Sequence, residues 1–202
     1  PDALAASAIK NARLLEKFDF NDIVISIKSS DVRNTYAANI EVAKMCDYPL
    51  HLGVTEAGTE LSSAIKSSAA LGGLLLAGIG DTVRISITGD PVREVVCAKE
   101  LLKSLGLKKG GVTFVSCPTC GRTKIDLVAL ANAVEQKLCG CDKTIKVAVM
   151  GCVVNGPGEA READIGVAGG DGCGVIFRKG KIIKKVTEER LLPELLSEVD
   201  KL

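Results

Sequence analysis

Three β-branched runs recur about every thirty residues through the first half of the chain: DIVISIK (22–28), PLHLGVTEAG (49–58) and DTVRISITGDP (81–91). Stretches of helical spacing separate them. The opening DALAASAIKNARLLEKF puts Ala5, Ala8, Ile9, Ala12, Leu15 and Phe18 on one helical face, and further helices are expected over 32–46, 60–76 and 91–105. Such alternation calls for parallel strands joined by right-handed crossovers, an α/β architecture that builds its sites at the carboxyl ends of the strands. Lys28, Glu56, Arg84 and Ser86 fall at or just beyond those ends and form a candidate constellation. A strand end that simply meets solvent would also be polar, so the constellation alone does not establish a site.

LGLKKGG (105–111) reads as a linker, dividing the chain into a first domain over 1–108 and a second over 109–202. Beyond it the character changes, and six of the eight cysteines lie there. VTFVS (112–116) is a strand that runs into the pair Cys117-Pro118-Thr119-Cys120, and KVAVMG (146–151) is a second that delivers Cys152. Between them RTKIDLVALANAVEQKL is expected to be a helix with Thr123 and Asp126 as a capping box. Lys179-Gly180 should turn a strand pair, and the closing helix of EERLLPELLSEVDKL should be interrupted near Pro193.

The balance of 26 Lys plus Arg against 25 Asp plus Glu, a net charge of +1, offers no footprint for nucleic acid or an anionic membrane. No apolar run reaches the roughly 18 residues of a membrane span and no signal-peptide pattern opens the chain, so a soluble, cytoplasmic protein is expected. A first residue Pro1, already in helical sequence, suggests a fragment or a processed product. In a reducing compartment, clustered cysteines are metal ligands or redox groups more often than disulfides.

Two thiols separated by two residues can share one metal, and a following helix favours their thiolates. Zinc sites, iron-sulfur clusters and thiol redox pairs all use that spacing. Cys152 also ends a predicted strand, and parallel neighbours would bring all three sulfurs to one edge. Three thiolates leave a four-iron cube one ligand short. Glu159, seven residues beyond Cys152 across Asn155-Gly156-Pro157-Gly158, is one candidate for the missing ligand. The glycines would let the backbone approach a bulky centre, and Asn155 could hydrogen-bond a sulfide or a substrate. A zinc ribbon built from Cys117, Cys120, Cys139 and Cys141 is a rival reading, as is a simple iron-sulfur electron carrier with four thiolates. Cys46, Cys97 and Cys173 read as structural, the first two on apolar helix faces, and His51, the single histidine, as a packed strand residue.

Taken together, SCPTCGR, GCVVNGPGEA, HLGVTEAG and GIGDTVRISITGDP resemble the 4-hydroxy-3-methylbut-2-enyl diphosphate synthase family of the non-mevalonate isoprenoid pathway, over essentially the whole chain. The resemblance implies a [4Fe-4S] cluster on Cys117, Cys120, Cys152 and Glu159. It implies reductive ring opening and dehydration of 2-C-methyl-D-erythritol 2,4-cyclodiphosphate, with two electrons from ferredoxin or flavodoxin. Substrate contacts fall on Lys28, Arg84 and Ser86 for the diphosphate and on Asn155 near the cluster, with Glu56 as the acid; Glu159 serves the reaction through the cluster. The resemblance further implies a homodimer in which the cluster domain of one subunit covers the barrel of the other. Family members build a complete eight-stranded barrel, of which this chain carries the last three βα units. A C-terminal part of a TIM-type barrel followed by a smaller α/β iron-sulfur domain is therefore expected, as a fragment not active alone.

Overall fold

A computed structural model describes residues 1–202, which form two compact units, Pro1–Lys108 and Lys109–Leu202. The first unit runs α1 (Asp2–Glu16), α2 (Val32–Met45), β1 (His51–Gly53), α3 (Glu60–Leu76), β2 (Thr82–Arg84) and α4 (Pro91–Ser104). β1 and β2 pair in parallel, with His51 opposite Thr82 and Gly53 opposite Arg84.

The expected strands are shorter than their β-branched runs. The 22–28 run makes only a parallel bridge, Ile25 with Leu50, in which Ile25 N–H donates to Pro49 O and His51 N–H to Ile25 O. Pro49 has no N–H with which to extend the ladder. The 49–58 and 81–91 runs likewise keep three ladder residues each before turning into loops.

Alternation along these three segments sorts their side chains. Ile25, Ile27, Leu50, Leu52, Val54 and Ile85 point into a core shared with Ala38 and Val42 of α2 and Ala70, Leu71 and Leu74 of α3. Side chains of the opposite parity, among them Ser26, Thr82 and Arg84, lie on the more exposed face of these segments. Caps fix the helix starts: Asp31 accepts from Asn34 N–H and Asp90 from Val92 N–H, each satisfying a donor the helix leaves free. Buried Asn39 donates to Ile27 O at 3.2 Å, tying α2 to the end of the first extended run.

The second unit holds β3 (Val112–Ser116), α5 (Leu127–Leu138), β4 (Ile145–Met150), the one-turn α6 (Gly156–Glu159), β5 (Ile165–Gly169), β6 (Cys173–Arg178), β7 (Lys181–Thr187) and α7 (Leu191–Asp200). Its five strands lie in the order β3-β4-β5-β6-β7, the first three parallel and the last two antiparallel. One sheet face packs on α5 and α7 through Val147, Val149, Ile165, Val167 and Ile176. The other packs on the 151–163 segment through Ala148, Met150, Ala168, Val175 and Phe177.

Two expectations are corrected and one strand is added. The helix after CPTC starts at Leu127 with Asp126 as its cap, accepting from Ala129 N–H at 3.0 Å, so Thr123 is no part of a capping box. Pro193 does not interrupt the closing helix. It sits in the first turn of α7, where its missing N–H has no helical partner to lose. β5 was not anticipated at all, although it forms the middle of the sheet.

Candidate functional site

Each unit presents its own collection of candidate residues. In the first, the more exposed sheet face carries two rows. Ser26, His51 and Thr82 form one, in which Ser26 Oγ donates to His51 O at 3.1 Å and His51 Nδ1 lies 2.7 Å from Thr82 Oγ1. Lys28, Gly53 and Arg84 form the next, one step nearer the carboxyl ends. The glycine makes that row possible. A Cβ on Gly53 would sit 3.0 Å from Lys28 Cε and 3.0 Å from Arg84 O, so the lysine stem lies across the position a side chain would fill.

The two cations shape the electrostatics of this face. Burial, and then the Arg84 charge, lower the Lys28 ammonium from its ordinary value. Burial followed by Lys28 and Arg84 lowers His51, favouring the neutral imidazole. His51 is a half-buried polar group packed in β1 beside the cation row, its Nδ1 against Thr82 Oγ1. Ser86 lies two residues past Arg84 with the same strand parity, and its carbonyl accepts from Ser63 Oγ at 2.7 Å. Glu56 is exposed in the turn after β1 at φ 54, a left-handed conformation costly for a side chain, and makes no hydrogen bond or ion pair.

In the second unit, β3 and β4 end together, Ser116 opposite Val149, and Cys117 and Cys152 follow at the same carboxyl edge. Gly151 N–H donates to Cys117 Sγ at 3.2 Å. The loop after Cys120 folds back over this edge: Thr123 Oγ1 accepts from Cys120 N–H at 3.2 Å, and Lys124 N–H donates to Gly151 O. The Arg122 backbone N–H, with the Thr123 hydroxyl and the Arg122 charge, lowers the Cys120 thiol against the opposing effect of burial, favouring the thiolate. Across the turn, Asn155 Nδ2 donates to Glu159 Oε1 at 3.2 Å.

The edge gathers these residues without closing them into a metal-holding group of three or more His, Cys, Asp or Glu. In donor chemistry the set suits an iron-sulfur centre: an N–H aimed at Cys117 sulfur, a thiolate-favouring site at Cys120, and a carboxylate oriented by an amide. Two participants escaped sequence reasoning. Thr123, read there as a helix cap, is a loop clamp, and Cys173 stands at the same edge, its Sγ 3.7 Å from where a Gly170 Cβ would be. Only β5 could have revealed the second, because it sets Gly169 opposite Gly174.

The zinc-ribbon alternative does not survive the sheet. Asp142 O accepts from Gly111 N–H, which puts Cys141 at the start of β3, while Cys117 follows its end. At about 3.3 Å per strand residue the two thiols are about 16 Å apart. Zn–S bonds of about 2.3 Å cannot span that. Cys46 and Cys97 lie partly buried against the first unit's core.

Parallel strands carrying a row of two cations, and a mixed sheet with cysteines at its parallel edge, define an α/β protein with a cationic face and a thiol-rich edge. Comparison with known proteins agrees. Residues 1–99 match the GcpE TIM-barrel domain and residues 113–201 the GcpE protein C-terminal domain. The chain belongs to the GcpE family. It is 58% identical over 200 residues to the 4-hydroxy-3-methylbut-2-en-1-yl diphosphate synthase (flavodoxin) of Clostridium perfringens, covering 99% of this chain and 57% of that protein. The proteins of that name from Clostridium acetobutylicum and Caldanaerobacter subterraneus are 60% identical over 199 residues and 59% over 202. These alignments cover 98% and 100% of this chain, and the chain again spans 57% of each relative's length. No helix is long and apolar enough to cross a membrane.

Proposed function

We propose that this chain is the closing part of a cytoplasmic, homodimeric enzyme that reductively opens and dehydrates 2-C-methyl-D-erythritol 2,4-cyclodiphosphate. On this reading residues 1–108 supply the last three βα units of the substrate-binding barrel, and residues 109–202 form the iron-sulfur domain. The observation that carries the reading is the common ending of β3 and β4, which delivers Cys117 and Cys152 to one edge. Cys120 and Glu159 complete the ligand set.

The chain's own groups have defined work. Lys28 and Arg84 take the diphosphate oxygens as charge-assisted donors, with the Ser86 hydroxyl beside them. Gly53 keeps the space between the two cations free for the lysine stem. Glu56 makes no hydrogen bond or ion pair in its exposed turn, which leaves it available to hand a proton to the departing oxygen. Asn155 orients the Glu159 carboxylate and keeps a second amide proton for substrate. A bound [4Fe-4S] cluster would supply the two electrons one at a time and a Lewis-acidic iron. The electrons come from flavodoxin or ferredoxin, and one water leaves.

The test is iron and acid-labile sulfide in anaerobically prepared full-length protein, beside Cys152→Ser and Glu159→Gln. About four of each per chain, lost or destabilised in both variants, supports the reading. One zinc per chain, indifferent to both substitutions, overturns it.

A further inference from the structure

The hairpin joining β6 to β7 has no part in the site described above, yet it is the most charged segment of the second unit. Residues 178–185, RKGKIIKK, contain five cations and no acid. Two of the five are neutralised within the fold, Arg178 by Glu198 at 3.4 Å and Lys184 by Glu194 at 2.5 Å. Lys179, Lys181 and Lys185 are exposed and have no ion pair. The nearby Arg161 is offset by its neighbour Glu162 at 3.5 Å.

Lysines on an edge strand such as β7 guard against strand addition, but that role does not require the apolar surface found among them. Ile182 is 57% exposed and Ile183 47%, an apolar centre within a basic rim. A bulge between Ile176 and Phe177 places Ile182 opposite Phe177, and Lys185 stands opposite Val175. Both partners belong to the face that packs on the 151–163 segment, whereas Lys181 stands opposite Arg178, which pairs with Glu198 of α7 on the other face, so the patch wraps around the exposed edge strand.

The hairpin tip also touches the loop of the site. Lys179 and Gly180, at φ 47 and 75, form a tight two-residue turn of the primed type. Lys179 N–H donates to Ala163 O at 3.1 Å, and a Cβ on Gly180 would lie 3.2 Å from Pro157 O and 3.1 Å from Arg161 Cβ. A partner seated on the tip therefore rests against the backbone that carries Glu159. We propose that Lys179, Lys181 and Lys185, with Ile182 and Ile183 between them, form the docking surface for a small electron-carrying protein with an acidic surface around its redox group.

This rests on the electron-accepting role proposed above. With a net charge of only +1 for the whole chain, an acidic partner would be steered by this local patch and held by the isoleucines.

The experiment uses full-length, cluster-loaded protein carrying Lys179→Asn, Lys181→Glu and Lys185→Glu, asparagine being chosen because it tolerates the left-handed turn. Lys10→Glu/Lys17→Glu in the first unit is the control for changed net charge. Binding of an acidic flavodoxin is measured by biolayer interferometry at low and moderate salt, and turnover is measured with reduced flavodoxin and with a small reduced dye. The triple variant should bind about tenfold or more weakly at low salt with a flattened salt dependence. Its cluster content and dye-driven rate should be unchanged, and the control should match the parent. Unchanged affinity in the triple variant, an equal loss in the control, or a dye-active parent that does not bind flavodoxin overturns the docking surface alone. A parent that turns over with neither donor overturns the proposed function, and the docking surface falls with it.

Discussion

Gly53→Ala tests whether the cation row depends on a missing side chain. The new Cβ would lie 3.0 Å from Lys28 Cε, 3.5 Å from Lys28 Cδ and 3.0 Å from Arg84 O. The backbone oxygen belongs to a ladder partner and has little room to move, whereas the end of a lysine can swing away. The added methyl should therefore be relieved mainly by expelling Lys28 from its path toward Arg84. Overpacking costs about 1–3 kcal/mol, and a mobile neighbour puts this case near 1 kcal/mol. That corresponds to a fall in Tm of about 2–4 °C for a protein of this size. The larger effect should be on binding, because a displaced ammonium forfeits a charge-assisted hydrogen bond of about 1.5–3 kcal/mol. Affinity for the cyclodiphosphate should then drop about ten- to a hundredfold. Isothermal titration of full-length protein with the substrate, alone and in a Lys28→Met background, separates the causes. If Gly53→Ala acts through Lys28, it should weaken binding little further once the lysine is gone. An undiminished affinity in the single variant, or the same added loss in both backgrounds, would refute the reasoning.

His51 is the only histidine in the chain, so its imidazole resonances need no assignment in an NMR titration. Burial, Lys28 and Arg84 all lower its pKa, and the midpoint should fall below 6.5 and rise toward it in Lys28→Met. As pH falls through 6.5 the unfolded state binds a proton that the folded state refuses, so His51 should withdraw stability on acidification down to its folded midpoint. A midpoint at or above 6.5 contradicts this. Asp81→Ala strips the acceptor from Leu50 N–H, now 2.7 Å from Asp81 Oδ2; a loss of about 1–3 kcal/mol in urea unfolding is expected, and no change would mean that water replaces the carboxylate. Gly166→Ala would set a methyl 2.4 Å from Phe177 Cζ and 2.9 Å from both Ala148 Cβ and Ala148 O. With rigid neighbours on three sides it should cost about 3 kcal/mol, read as a lower urea midpoint, and a midpoint within error of the parent would show that the sheet can yield there.

The helices and the parallel order were legible because 3.6-residue periodicity survives wherever a helix has one buried face. Strand extents were not. In DIVISIK, β-branched residues announce an extended segment, but the ladder depends on neighbours, and Pro49 has no N–H to carry it past the Ile25 bridge on the amino side. β5 escaped for the opposite reason. All five of its residues are buried, so its sequence shows no alternation between a wet and a dry face. Its two glycines argue against a strand on propensity alone. Both are required by packing, Gly166 beneath Phe177 and Gly169 against Ile125, whose side-chain carbons would lie 2.5 to 2.8 Å from an added Cβ. Missing that strand also hid the place of Cys173. Lys28, Arg84, Cys117 and Cys152 were recoverable because each is a polar or sulfur-bearing residue at the carboxyl end of a recognisable run. The role of His51 depends on Thr82, 31 residues away, and the packing of Thr123 on Gly151 is likewise distant in sequence, although its hydrogen bond to Cys120 N–H is local.

The two collections share one construction. In each, parallel neighbours deliver candidate side chains to the same edge, and a glycine in or just after one strand clears the path for a side chain from elsewhere. Gly53 lets the Lys28 stem cross toward Arg84. Gly151 does the corresponding work for the thiol edge, since a Cβ there would meet Thr123 Oγ1 at 2.8 Å and Leu127 Cδ2 at 3.1 Å. The Gly151 N–H meanwhile donates to Cys117 Sγ, and the Thr123 hydroxyl it accommodates accepts from Cys120 N–H. One residue without a side chain thus helps to orient two cysteines, the first through its amide and the second through the threonine it admits. A substitution at Gly151 that preserved every proposed ligand would still disturb both, so the chemistry of this edge depends on the strand-end backbone as much as on the sulfurs.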